Sequence, residues 1–146
     1  TALVKIGFVE NSIFCQQLIY KSGLTNSDLI SEMKRLNIGR EAIYADAAEP
    51  QRIEEISRAG FNIKPAQKEK DSVRKGIDKI KAMNFFIMDD SPDIIKEVKN
   101  YKWAEDKNGK SLDEPVKFLD HCMDAIRMGV HTHLGGGVGK YAVGFA

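Results

Sequence analysis

The feature that most constrains this chain is a change of hydrophobic period. Residues 2–9 and 13–20 are rich in β-branched and aromatic side chains with Glu10-Asn11-Ser12 between them, the pattern of a β-hairpin. From Ala42 onward, short apolar runs alternate with segments whose apolar residues recur every three or four positions. Strands are expected at 42–45, 61–66 and 85–88, and helices at 25–38, from Glu49-Pro50 to Gly60, from Asp71 to Met83, and from Ser91-Pro92 to Tyr101. Thr25 with Asp28 three residues on forms a capping-box signal, and Asn108-Gly109 beside Trp103 signals a second hairpin. Antiparallel strands followed by strand–helix alternation predict an α/β layer fold, a mixed central sheet flanked by helices.

The chain has 146 residues, 42% of them hydrophobic, which suits one domain with one core. We expect that domain to span 1–134. The segment 135–146, Gly-Gly-Gly-Val-Gly-Lys-Tyr-Ala-Val-Gly-Phe-Ala, is expected to be a flexible tail or linker. It is not a phosphate loop, because Leu134 and Tyr141 stand where that motif needs a glycine and a serine or threonine. A formal net charge of +1 excludes a broadly basic protein, so any nucleic-acid contact must be local. Cys15 and Cys122 are far apart and read as reduced thiols, and no apolar run reaches membrane-spanning length. The opening Thr-Ala-Leu-Val-Lys-Ile has no start methionine and reads as a chain that begins inside a larger protein.

Two carboxylates stand out. Asp46, in Tyr-Ala-Asp-Ala-Ala-Glu-Pro at 44–50, leaves the end of a strand, and Asp124 lies on a late helix expected over 116–130. On that helix Phe118, Leu119, Cys122, Met123, Ile126 and Val130 fall within an arc of roughly 140°. Asp120, His121, Asp124 and Arg127 fill the other side. A charged stripe by itself is usually a solvated face. Carboxylates and a histidine at i, i+3 and i+4 can also converge on one ion, and an oxygen-rich set favours Mg²⁺ or Mn²⁺ over zinc.

The run at 44–50, the Trp103 stretch with its Asn108-Gly109 turn and Glu114-Pro115, and His-Cys-Met-Asp-Ala-Ile-Arg at 121–127 together resemble the nuclease domain of phage terminase large subunits. The likeness runs in order over about 1–130. It implies an RNase H-like fold and a metal-dependent endonuclease that cuts concatemeric viral double-stranded DNA. It further implies two Mg²⁺ or Mn²⁺ ions, Asp46 and Asp124 as catalytic ligands, and His121 as a ligand, a hydrogen-bond partner of a ligand or a proton carrier. The partners implied are double-stranded viral DNA, the terminase small subunit, the portal protein and an upstream ATPase domain, in the host cytoplasm. The family's first aspartate lies in a Gly-x-Asp-x-Gly type segment upstream of Thr1, so the resemblance implies that this stretch alone is impaired as a nuclease.

Residues 64–81 form the one markedly basic stretch, and Lys64 and Lys68, at a strand end and the loop after it, are the expected DNA contacts. Glu49, Asp89 and Asp90 read as helix-start residues, and His131 and His133 carry no assigned role. Two other readings remain: a non-catalytic module docking DNA or the portal, and another RNase H-like nuclease such as a junction resolvase.

Overall fold

The hairpin expected at the start of the chain is the spine of the molecule. In the computed structural model, which describes residues 1–67, 71–100, 103–105, 111–115, 121–134 and 141–145, β1 (Ala2–Val9) pairs antiparallel with β2 (Ser12–Tyr20) along its whole length. Then follow α1 (Asn26–Arg35), β3 (Ile43–Ala45), α2 (Pro50–Arg58), β4 (Ile63–Pro65), α3 (Ser72–Lys81), β5 (Asn84–Ile87) and α4 (Pro92–Asn100). The last elements are β6 (Trp103–Glu105), β7 (Ser111–Pro115), α5 (His121–Leu134) and β8 (Tyr141–Gly144). Six strands make one mixed sheet in the order β4-β3-β8-β1-β2-β5, and β6 and β7 pair as a separate antiparallel ribbon.

Alternation along β1 divides the core. Ala2, Val4 and Ile6 point to one face, where they meet Ile94 of α4 and Cys122, Ile126 and Val130 of α5. Leu3 points to the other, with Leu29 and Met33 of α1, Ile56 of α2 and Ile43 of β3. The sheet is therefore covered on both faces, by α3, α4 and α5 on one and by α1 and α2 on the other. Gly129 sets how closely α5 lies on the sheet: a Cβ there would stand 2.6 Å from Ile6 Cδ1 and 3.1 Å from the Ala142 Cβ.

Three local expectations change. Residues 141–144, expected within a flexible tail, are a buried strand between β1 and β3, antiparallel to the first and parallel to the second. Glycine-rich sequence has little intrinsic order, but here both edges of the segment gain ladder hydrogen bonds and all four residues are buried, which outweighs the propensity. Second, β5, the most apolar of the expected strands, lies at a sheet edge: Phe85 and Ile87 join the core, while Phe86 is 48% exposed and stacks on Phe14 at 4.9 Å. Third, the expected helix-start residues cap little. Asp71 and Glu49 occupy N-cap positions without a side-chain hydrogen bond, whereas the Thr25–Asp28 capping box forms as expected.

At α4 the Ser91 hydroxyl instead accepts from the Gln17 amide at 2.9 Å. The Gln17 side-chain carbonyl in turn accepts from the Asp93 amide at 2.9 Å, so β2 caps this helix. Among the described residues the last helix covers His121–Leu134, past its expected end at Val130. Asp120, Phe118, Leu119, Lys68 and the Asn108-Gly109 turn lie outside the described residues.

Candidate metal and nucleic-acid site

Ile43 and Ala45 face the α1/α2 core, so strand alternation turns Tyr44, and Asp46 after it, toward the α5 side. Asp46 Oδ1 accepts a hydrogen bond from the Ala48 amide at 2.9 Å, an Asx turn that fixes the carboxylate where the chain leaves the sheet. Asp46 then lines a cavity of about 160 Å³ together with Ala66, Gln67, Ser72, Arg127 and Met128. Four segments therefore meet there: the ends of β3 and β4, the start of α3 and the middle of α5.

Asp124 lies one turn before Arg127 on α5, half-buried, with its Oδ1 3.4 Å from Arg127 Nη2. The cavity thus links Asp46 to the Arg127–Asp124 pair. His121 stands at the first turn of the same helix, with its ring 6.1 Å from the Tyr20 ring and tilted by 54°; it does not line the cavity. Lys64 is exposed on edge strand β4 and pairs in register with Tyr44, two residues before Asp46.

The residue that anchors this helix carries no sequence signal. Glu97 of α4 is almost fully buried, and its two carboxylate oxygens accept from the amides of Met123 and Cys122 at 3.0 and 3.2 Å. Those are orphan donors of the first turn of α5, so α4 caps α5 across the core. Burial, against the pull of these hydrogen bonds, raises the Glu97 carboxyl above its ordinary range. The Tyr20 phenol is pushed up to about 12 by burial and then by Glu97, to which it is hydrogen-bonded.

Among the described residues no three His, Cys, Asp or Glu side chains gather as a metal cluster. The Asp46 carboxylate in the cavity, with Asp124 beside Arg127 at its wall, is nevertheless the kind of hard oxygen donor that Mg²⁺ or Mn²⁺ takes, usually with waters completing the shell. The donor chemistry therefore fits a divalent cation, with ligands fewer than a closed cage would have.

Fold and site together define a mixed α/β protein with a carboxylate-lined cavity at the carboxyl end of an inner strand. The chain belongs to the terminase RNase H-like domain family, whose model matches residues 1–132. The PBSX phage terminase large subunit of Bacillus subtilis (strain 168) is 28% identical over 108 residues, 73% of this chain and 25% of that protein. The chain thus spans about a quarter of that relative's length.

Among solved structures, the large terminase nuclease domain of bacteriophage SPP1, determined with bound Mn, superposes with a TM-score of 0.76 at 19% identity over 93% of this chain and 78% of that one. The large terminase of a thermophilic bacteriophage gives 0.68 at 20% identity over 88% of this chain and 35% of that one. These likenesses establish the RNase H-like fold expected from the sequence. Among the described residues no helix is long and apolar enough to cross a membrane.

Proposed function

We propose that this chain is the metal-dependent endonuclease domain of a viral DNA-packaging terminase large subunit, cutting double-stranded DNA by phosphodiester hydrolysis. The observation that carries the reading is the cavity joining Asp46 to the Arg127–Asp124 pair at a strand end. Asp46 and Asp124 would hold Mg²⁺ or Mn²⁺, and Mn in the SPP1 domain supports that choice. A divalent cation supplies charge neutralisation at the scissile phosphate and lowers the pKa of a coordinated water; a pair of ions does both at once.

The chain's own residues do the rest. The Ala48 amide holds Asp46 in one orientation. Glu97 fixes the helix that presents Asp124. His121, beside Tyr20 at the first turn of that helix, would serve as a ligand, a hydrogen-bond partner of a ligand or a proton carrier. Lys64, with Lys68 after it in sequence, offers phosphate contacts that ignore base identity. The small subunit, the portal and an upstream ATPase are the partners that a packaging motor requires, and the host cytoplasm is where it would work.

The test is plasmid nicking in Mn²⁺ and in Mg²⁺ by this chain and by the same chain extended upstream, beside calorimetric Mn²⁺ titration. We expect Asp46→Asn and Asp124→Asn each to lower nicking by at least about a hundredfold and to weaken Mn²⁺ binding while the fold is kept. EDTA should abolish nicking. Chains that neither nick nor bind Mn²⁺ would end the proposal.

A further inference from the structure

Arg127 is poorly satisfied where it stands. Its side chain is only 14% exposed, its Nη2 reaches Asp124 at 3.4 Å, and its Nε is buried with no hydrogen-bond partner among the described residues. A guanidinium carries five donors, and burying it with one stretched contact is costly unless another acceptor arrives.

The same i, i+3 spacing on α1 shows what a settled pair looks like. Arg35 grips one oxygen of Glu32 through both Nη2 and Nε, at 2.7 and 3.1 Å. Asp124, one methylene shorter than a glutamate, leaves the head of Arg127 at the wall of the Asp46 cavity.

Gly76, in the interior of α3, explains how that head is held. A Cβ at this position would stand 2.6 Å from Arg127 Cγ, 3.2 Å from the Arg127 carbonyl oxygen and 3.5 Å from Cδ. Glycine inside a helix costs about 0.5–1 kcal/mol relative to alanine. What the missing side chain provides is a slot for the stem of Arg127 between α3 and α5.

Charge identifies the acceptor. Asp46 lines the cavity and Asp124 pairs with Arg127 at its wall, so a divalent cation bound there would add positive charge beside the guanidinium. An anion is then favoured where the Arg127 head lies. Ser72 and Val73, at the start of α3, line the same cavity, and Asp71 before them supplies no side-chain cap.

We propose that Arg127 contacts a non-bridging oxygen of the DNA phosphodiester in the Asp46 cavity, and that Gly76 is the residue positioning it. The proposal rests on the nuclease reading and adds to it the group that grips the phosphate.

The experiment is fluorescence-anisotropy binding of a short labelled linear duplex across a salt series in Ca²⁺, with Mn²⁺ calorimetry on the same proteins. Arg127→Ala should weaken duplex binding about tenfold and lower the slope of log affinity against log salt by about 0.9, one phosphate contact. Its Mn²⁺ affinity should be no lower than that of the parent, because a neighbouring positive charge has gone.

Arg127→Lys should keep the slope and lose several-fold in affinity, since an ammonium lacks the fork. Gly76→Ala should lower the slope as Arg127→Ala does although the arginine remains, a result that simple loosening of α3 would not give. Arg35→Ala, on the opposite face, should change neither quantity. A folded Arg127→Ala protein with the parental affinity and slope would overturn the proposal, as would an Arg127→Lys protein indistinguishable from the parent. Parental nicking in Mn²⁺ together with such unchanged binding would refute the phosphate contact alone. An Arg127-dependent slope in a protein that neither binds Mn²⁺ nor nicks would refute the nuclease reading instead.

Discussion

Glu97 is the carboxylate on which the helix of the candidate site rests. Replacing it by alanine leaves the amides of Cys122 and Met123 without their acceptor in a buried place, a loss of about 1–3 kcal/mol. Glu97→Ala should therefore lower the free energy of chemical unfolding by that amount, and an unchanged denaturation midpoint would show that the cap contributes nothing.

His133 makes a pH-dependent contribution of known sign. Its ring stacks on Phe8 at 3.8 Å, and burial lowers its pKa below the ordinary 6.5. The unfolded chain therefore takes up the proton more readily than the folded one, so the stability linked to this group is complete above pH 6.5 and is lost as pH falls through the lowered pKa. In His133→Phe, which keeps the stack, unfolding midpoints should decline less steeply on acidification than in the parent. Parallel acid limbs for the two proteins would contradict this account.

Among the elements, β8 departs furthest from expectation. A four-residue strand after a run of glycines has no periodicity to announce it; what orders it is the slot between β1 and β3, a contact across nearly the whole chain. Val143 is fully buried in that slot, opposite Leu3 and Ala45. Val143→Asp places an unpaired carboxylate in the core and should destabilise the fold by about 3–5 kcal/mol. The amides of Ala142 and Val143 should also exchange with solvent as slowly as those of β1. Exchange within seconds by native-state hydrogen–deuterium measurement would return the segment to the status of a tail.

Over the whole molecule, the order of strands and helices was legible because hydrophobic period changes at each junction, and the fold class followed from that order. Asp46 at the end of a strand and Asp124 on the polar side of a helix were legible for the same reason. The cap from Glu97 and the slot at Gly76 were not. Each depends on two segments meeting across the core, and nothing in local spacing links Glu97 to Cys122 or Gly76 to Arg127. Lys64 is exposed on edge strand β4, whereas the apolar run of β5 gave no hint that half of it would face solvent.

The pairing of Ala2 with Gly144 has a consequence for synthesis. On the ribosome, β1 and β3 emerge early with an open lane between them, and the residues that fill it follow only after α2 through α5 have been made. Until then the nascent chain carries two exposed strand edges flanking an apolar gap, a state prone to pairing with the wrong neighbour. Closure of the sheet must therefore wait for residues 141–144 to leave the exit tunnel.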